Sequence, residues 1–535
     1  MIRPPLATNG TRPVDLFTVT HPPAGEKPVT PEKSHDFFQV LQHHGPDRGE
    51  KTAVLCEGAE VSYALLNDHI GRFGNLLKDR GVRPGERVLI ALPDCPDAFY
   101  AFLGSMQCGA LPVLVNPDLP RGDFEFIRED SRASVLVTVG DGPAAEAWTS
   151  PLERRILVDD PGYPTLFANA SPVLEVVPHS PDEAAFLFYT TGRNGDLRGV
   201  PHRRGDMAFS AENYARGVLN LCQSDVVFST SKLFLSYGMG NSLVFPLYFG
   251  ATAVLLPSRP ITPDHVFAVI ARSRPTVLFA VPTLYGMMLK TLDEGVRLDS
   301  LRLCVSAGES LPAGLHRDWK EATGLEILEG IGSMETLHIF ISNRPGHSRP
   351  GTSGVPVPSY RVRIVGEDGL PVPSGQPGSL QVKGGSIAPF YWNRPELTAE
   401  TMLEGGWLKT GDIFTEEDGF YTYRGRSDDL FKSGGNWVSP VKVASILREH
   451  PRVRDCRVTS RKLEGLLKPI AHVVLNPGPE GTPELARDLR SHVLKRLPKH
   501  MCPVQFNFCE EIPGKRPEDA RPPSPVADRT PSSPG

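Results

Sequence analysis

Apolar residues recur along the chain with two alternating periods, and that alternation predicts the architecture. The segment VSYALLNDHIGRFGNLLKDRG (61–81) repeats apolar side chains at helical spacing and runs out at Gly81, which reads as an amphipathic helix closed by a glycine. ERVLIALP follows as a short apolar run of strand type. DAFYAFLGSMQCGA restores the helical spacing, LPVLVN and ASVLVTVG restore the strand pattern, and VFAVIARSRP precedes TVLFAVP in the same helix-then-strand order. Strand, helix and strand at this pitch imply parallel sheets covered by helices.

Beyond about residue 350 the texture shifts to shorter, glycine-punctuated strands, YRVRIVG, GSLQVKG and GFYTYRGR, which predict a β-rich subdomain. From Asp429 onward KVASILREH, DCRVTSR, IAHVVLN and LRSHVLKRL predict a small α+β unit. Residues 1–34 carry Pro and Thr without either period and read as a flexible arm, whereas the tail 521–535, RPPSPVADRTPSSPG, buries too little apolar surface to offset its ordering entropy and reads as disordered. The expected organisation is an N-terminal α/β domain over 35–427, with the β-rich part inside it, and a C-terminal domain over 428–520.

Composition narrows the function classes. A chain of 535 residues with 40% hydrophobic content supports more than one core. Its 57 basic and 62 acidic residues, a formal net charge of −5, leave no basic footprint for nucleic acid. Cys56, Cys95, Cys108, Cys222, Cys304, Cys456, Cys502 and Cys509 are scattered, with neither a CxxC pair nor a histidine cluster, which argues against a zinc site or a disulfide framework. Without an apolar run of about 18 residues or a signal-peptide core, a cytoplasmic protein with no membrane partner is expected.

Five glycine-bearing segments stand in a fixed order: TTGRNGDLRG (190–199), SAGESLP (306–312), EGIGSMET (329–336), KTGD (409–412) and GRSDDLFKSGGNWVSP (425–440). Each alone is most simply a turn. Together, and with KLFLSYGMGNSLVFPL (232–247) and RPTVLFAVPTLY (274–285), they resemble the adenylate-forming (acyl-CoA synthetase) superfamily and its benzoate-CoA ligase branch, over about residues 35–515. The resemblance extends to the anthraniloyl-loading members found in aurachin-type assembly. It implies a two-step enzyme: a carboxylate attacks ATP to give an acyl-adenylate, then a small C-terminal domain rotates and a pantetheine thiol displaces AMP.

Carried onto this sequence, the resemblance assigns Asp412 to the ribose hydroxyls and Arg426 to the sugar-phosphate. It places Gly308, Glu309, Glu329, Gly330 and Ile331 around the nucleotide, Glu335 on Mg2+, and Asp428 at the hinge. Tyr237, Gly238, Gly332, His338 and Ile339 are implied to form the aryl pocket. Lys432 falls near the substrate carboxylate, and Ser433, Gly434, Gly435 and Trp437 match the wall of the pantetheine tunnel. Lys432, His338 and Lys515 are the residues implied to act on the reacting groups.

Departures from the pattern fall on the phosphate side. The family loop, roughly S/T-S/T-G-S/T-T-G-x-P-K-G, grips phosphates with hydroxyls, backbone N–H groups and a lysine. Here it reads Thr190, Thr191, Gly192, Arg193, Asn194, Gly195, Asp196, Leu197, Arg198 and Gly199, so two hydroxyl positions, the proline and the lysine are all replaced. A guanidinium is no geometric substitute for a small hydroxyl or for an ammonium point charge. Met334 stands where the family has a threonine facing the α-phosphate, and EEIPGKRPEDARPP retains only Lys515 of the family's C-terminal lysine motif. Each such electrostatic contact is worth roughly 3 kcal/mol in rate.

These losses predict an aryl-thioester transferase that moves an aryl group from an aryl-CoA (coenzyme A as donor, of benzoate or anthranilate type) to the phosphopantetheine arm of an acyl carrier protein, directly or through bound AMP. Because one thioester replaces another, that exchange needs no ATP. The alternative is an ATP- and Mg2+-dependent aryl-CoA ligase, with Arg193 and Arg198 acting as a substitute phosphate clamp. A non-catalytic scaffold is the third reading, and the retained Asp412, Arg426, Glu335 and Lys432 speak against it. Family analogy points to a homodimer.

Overall fold

The computed structural model describes residues 48–512 apart from 150, 192–195, 294, 428–430, 434–435, 464–465 and 479, together with Phe37, Phe38, Val40 and Leu41. The expected arm, the tail, the Asp428 hinge and Lys515 lie outside the described residues.

The predicted alternation becomes two helix-covered sheets. In the larger, six strands run parallel in the order Thr52–Cys56, Thr252–Leu255, Val226–Ser229, Val277–Ala280, Leu303–Ser306 and Ile327–Gly332, with antiparallel strands at both edges. In the other, Arg155–Leu157, Ala133–Thr138, Arg87–Ala91, Leu111–Leu114 and Phe186–Thr191 run parallel, and Leu197–His202 closes the edge as an antiparallel hairpin partner. Most of these strands are buried on both faces, which is why they read as continuous apolar runs and not as alternating ones.

Local chemistry sets the helix bounds. The helix Tyr63–Asp79 starts where the Ser62 hydroxyl accepts from the Leu65 N–H at 3.2 Å, and the chain leaves it through Gly81 at φ 76°. It packs on Pro96–Gln107 at very short range. A Cβ on Gly104 would lie 2.9 Å from Gly74 N, so Gly104 tolerates no side chain without the two helices parting, and a Cβ on Gly74 would run into the Leu174 side chain.

The β-rich subdomain is a five-stranded antiparallel sheet that includes Arg361–Val365, Gly378–Lys383, Trp407–Glu417 and Phe420–Arg426. The C-terminal unit packs helices Pro440–Arg448 and Pro483–Leu494 with the strands Val453–Leu463, Leu466–Leu475 and Gln505–Phe508 around a separate apolar cluster. The protein is thus mixed α/β, with a large parallel-sheet part and a small C-terminal part. Among the described residues no helix is long and apolar enough to cross a membrane.

Candidate active site

Four motif segments leave the carboxyl ends of four neighbouring parallel strands. The strand Val226–Ser229 runs into KLFLSYG, Val277–Ala280 into VPTLY, Leu303–Ser306 into SAGES, and Ile327–Gly332 into GSMET. Adjacent parallel strands deliver their following loops to one edge, and in open α/β sheets that edge is where ligands sit. Segments up to a hundred residues apart in sequence are gathered there.

The phosphate-loop segment is a hairpin whose register pairs Thr190 with Arg198 and Thr191 with Leu197. Gly192, Arg193, Asn194 and Gly195 lie outside the described residues. Arg198 is engaged within its own loop, its Nε 3.1 Å from the Asp196 carboxylate. The need for glycine at 199 has a packing cause: its carbonyl accepts from Trp392 N at 2.9 Å, and a Cβ there would meet the Trp392 Cβ at 2.7 Å. Trp392 and its neighbours are clamped in turn onto Asp130. The Asp130 carbonyl accepts from Trp392 Nε1 at 3.1 Å and from Asn393 Nδ2 at 2.9 Å.

The turn after Ile327–Gly332 is equally tight. Gly330 and Gly332 abut Ile339 and the His338 carbonyl, where Cβ atoms would come within 2.9 Å and 2.5 Å, and Leu337 takes a left-handed φ of 66°. The Met334 side chain packs with Val200, Ala388 and Tyr391, so an apolar contact stands where the family has a hydroxyl. Glu335 is anchored twice. Its Oε1 accepts from the Tyr391 hydroxyl at 2.7 Å, and its carbonyl accepts from Ala388 N at 2.8 Å. Tyr391 had no signal in the sequence reading.

Asp412 stands opposite Arg426 across the pair Trp407–Glu417 and Phe420–Arg426, with Oδ1 3.7 Å from Arg426 Nη1. Burial pushes its carboxyl up to about 6, Arg426 opposing and the Glu335 carboxylate adding to the rise. Two acids 77 positions apart thus share one electrostatic environment (412 − 335). On the adjoining loop, Gly308 takes φ 87° and Glu309 accepts from Thr283 Oγ1 at 2.6 Å, a partner the sequence reading missed. Glu329 is buried beside Gly330 and Ile331, and burial lifts its carboxyl to about 8, so it is protonated at neutral pH.

Of the predicted aryl residues, Tyr237 and Gly332 lie against His338, whereas the Ile339 side chain packs on Gly330. The His338 ring lies 5.4 Å from Tyr237, 5.2 Å from Tyr214 and 4.6 Å from Phe245, and its Nε2 is 3.1 Å from Asn241 Oδ1. Burial drops its imidazole to about 3, which makes it neutral. Gly240 lets the ring in, since a Cβ would sit 2.3 Å from His338 Cδ2; Gly238 likewise faces the Lys232 carbonyl. Gly240 and Asn241 lie in a π-turn, Gly240–Val244, and Tyr214 in a second, Ala211–Arg216. Such turns often mark functional sites but leave no readable period, so these residues escaped the sequence reading.

Lys432 sits in the strand Phe431–Ser433, paired with Trp437 of Asn436–Val438, and Phe431 and Val438 root this hairpin in the C-terminal core. Ser433 is buried. The side chains of Lys432 and Trp437, and Gly434 and Gly435, lie outside the described residues. Among the described residues no group of three or more His, Cys, Asp or Glu side chains gathers to hold a metal. A single carboxylate nevertheless suits Mg2+, which takes one or two carboxylates beside phosphate oxygens and water, and Glu335 offers such a hard oxygen donor.

Comparison with known proteins identifies the family. Residues 41–392 match the AMP-binding enzyme family, and residues 442–518 match the AMP-binding enzyme C-terminal domain. The chain is 39% identical over 487 residues to a benzoate–CoA ligase of Thauera aromatica, covering 87% of this chain and 90% of that protein. It is 36% identical over 446 residues to an anthranilate–CoA ligase of Pseudomonas aeruginosa, covering 81% and 85% respectively. The crystal structure of the anthranilate CoA ligase AuaEII in complex with anthranoyl-AMP superposes with a TM-score of 0.84 at 35% identity, covering 90% of this chain and 94% of that one. On these matches the chain belongs to the AMP-binding enzyme family, as an enzyme of its aryl-CoA ligase branch.

Proposed function

We propose that this enzyme joins a benzoate- or anthranilate-class acid to coenzyme A through an acyl-adenylate, using ATP and Mg2+. The observation that carries the reading is the convergence of Asp412 and Glu335 in one electrostatic environment, in a chain whose relatives are named as aryl-CoA ligases along most of its length. In this reading Asp412 accepts the ribose hydroxyls, which its ionised form does best, and Arg426 holds the sugar-phosphate. Glu335, fixed by Tyr391, would hold Mg2+, which neutralises phosphate oxygens when bound. The neutral His338 packs among Tyr214, Tyr237 and Phe245 as an aryl-pocket wall, and Ser433 and Trp437 belong to the thiol's path.

A second reading has its own support: the aryl group is taken from an aryl-CoA and passed to the phosphopantetheine thiol of an acyl carrier protein, adenylation being impaired. Met334 is committed to apolar packing, and Arg198 is engaged by Asp196. The segment after Glu511 keeps one lysine of its motif. Each feature weakens the ATP step alone.

Mass spectrometry of a carrier protein and of CoA, incubated with the enzyme and either free aryl acid plus ATP or aryl-CoA, separates the two. Aryl-CoA formation from acid and ATP supports the ligase, and its absence alongside carrier loading from aryl-CoA refutes it in favour of transfer. Met334→Thr should raise ATP-dependent adenylate formation by about a hundredfold where the missing hydroxyl limits that step.

A further inference from the structure

The strand Leu197–His202 ends on a histidine that the reaction scheme does not use. His202 is fully buried. Its ring stacks on Phe186 with centroids 5.5 Å apart and meets the edge of Phe188 at 6.3 Å. Nδ1 lies 3.0 Å from Asp206 Oδ2, and Nε2 lies 2.7 Å from the Met334 carbonyl, 132 residues away in sequence.

Both partners accept. A backbone carbonyl has no proton to give. Asp206 also accepts elsewhere, with Oδ2 taking the Arg203 N–H at 3.0 Å and Oδ1 taking Arg203 Nε at 3.0 Å. A neutral imidazole protonated on Nδ1 would turn a lone pair on the Met334 carbonyl at 2.7 Å. Protonated on Nε2, it would turn a lone pair on the carboxylate at 3.0 Å. Only a ring with a proton on each nitrogen makes both contacts attractive.

We propose that His202 is held as a doubly protonated imidazolium and is the positioning residue that locks the Glu335 turn to the strand leaving the phosphate loop. Asp206 is the shared counter-ion of His202 and Arg203, and Arg203 Nη2 spends its own protons on the Gly385 and Ile387 carbonyls at 2.8 Å and 3.1 Å. The Met334–Glu335 peptide is therefore held from one side by His202 and from the other by Ala388 and Tyr391. The strand Leu197–His202, the Glu335 turn and the 385–391 segment are then tied to one another by these hydrogen bonds.

The test uses the full chain with 15N-labelled histidine, His202→Gln supplying the assignment among the 15 histidines. At pH 7.5 both ring nitrogens of His202 are expected at the imidazolium position, each bonded to a slowly exchanging proton; one unprotonated nitrogen overturns the proposal. Asp206→Asn should convert the ring to the neutral pattern, and an unchanged spectrum would also overturn it. Positioning is read separately by calorimetry with Mg2+ present: His202→Gln should weaken AMP about tenfold while affinity for benzoate stays within about twofold. Equal loss of both ligands would mark a merely structural residue. The AMP measurement rests on the adenylate reading of this site and the nitrogen spectrum does not. A wild-type protein that ignores AMP would therefore sink that reading and leave His202 to be decided by its spectrum.

Discussion

Asp412→Asn should make the unliganded protein more stable and the liganded one worse. The Asp412 side chain is only 13% exposed, and burial first, then the Glu335 field, raise its carboxyl from an ordinary 3.8 to about 6 against the pull of Arg426. The sign follows from linkage. Between about pH 4 and 6 the folded chain keeps a proton that the unfolded chain has released, so stability is fully present below that window, falls as pH rises through it, and stays low above it. The gap corresponds to roughly 3 kcal/mol. The asparagine keeps the shape and removes the charge. Its loss of Arg426, at 3.7 Å and half-exposed, costs under about 1 kcal/mol. The variant should therefore gain about 2 kcal/mol at pH 7.5 and lose the wild-type decline between pH 4 and 6, read in a pH series as a melting temperature higher by about 2 °C at pH 7.5. AMP affinity should fall at least about tenfold, because a carboxylate accepting hydroxyls is worth more than an amide doing so. In the wild type, AMP should bind more tightly as pH rises through about 6 and level off above. A lower melting temperature for the variant at pH 7.5, or unchanged AMP affinity, would refute the reasoning.

Glu329→Gln should likewise raise unliganded stability at pH 7.5 and flatten the decline that the wild type shows from its ordinary 4.5 up to about 8, because the buried acid is already protonated there; an unaltered pH slope would count against it. Gly240→Ala drives a Cβ to 2.3 Å from His338 Cδ2, an overpacking cost of about 1–3 kcal/mol, and should weaken aryl-acid binding in calorimetry while AMP binding persists. Lys232→Met strands the buried Asp94 carboxylate, 3.5 Å from Lys232 Nζ, and should lower stability by about 3–5 kcal/mol; pairing it with Asp94→Asn should recover much of that loss in the same thermal assay.

Local pattern carried much of this protein. The alternation of apolar helices and strands, the glycine closing Tyr63–Asp79 and the order of the motif segments are short-range properties. Periodicity and turn chemistry write them directly into the chain. The family resemblance carried by those motifs is what singled out Asp412, Arg426, Glu335 and His338 as candidate site residues.

Tertiary packing decided how those residues are held. Arg198 reads in sequence as a replacement for the family's phosphate lysine, and the fold engages it with Asp196; Gly199 reads as part of a phosphate loop, yet its missing Cβ admits Trp392. Tyr391 on Glu335, Asn241 on His338 and His202 on Met334 join residues 56 to 132 positions apart. The carboxyl of Asp412 owes its rise to burial and to Glu335, which no local window contains. Periodicity reports only which face of an element is apolar. The close approaches that fix a hydrogen-bond partner or a protonation state arise when sheets and turns from distant segments pack together, and that packing is a property of the folded chain as a whole.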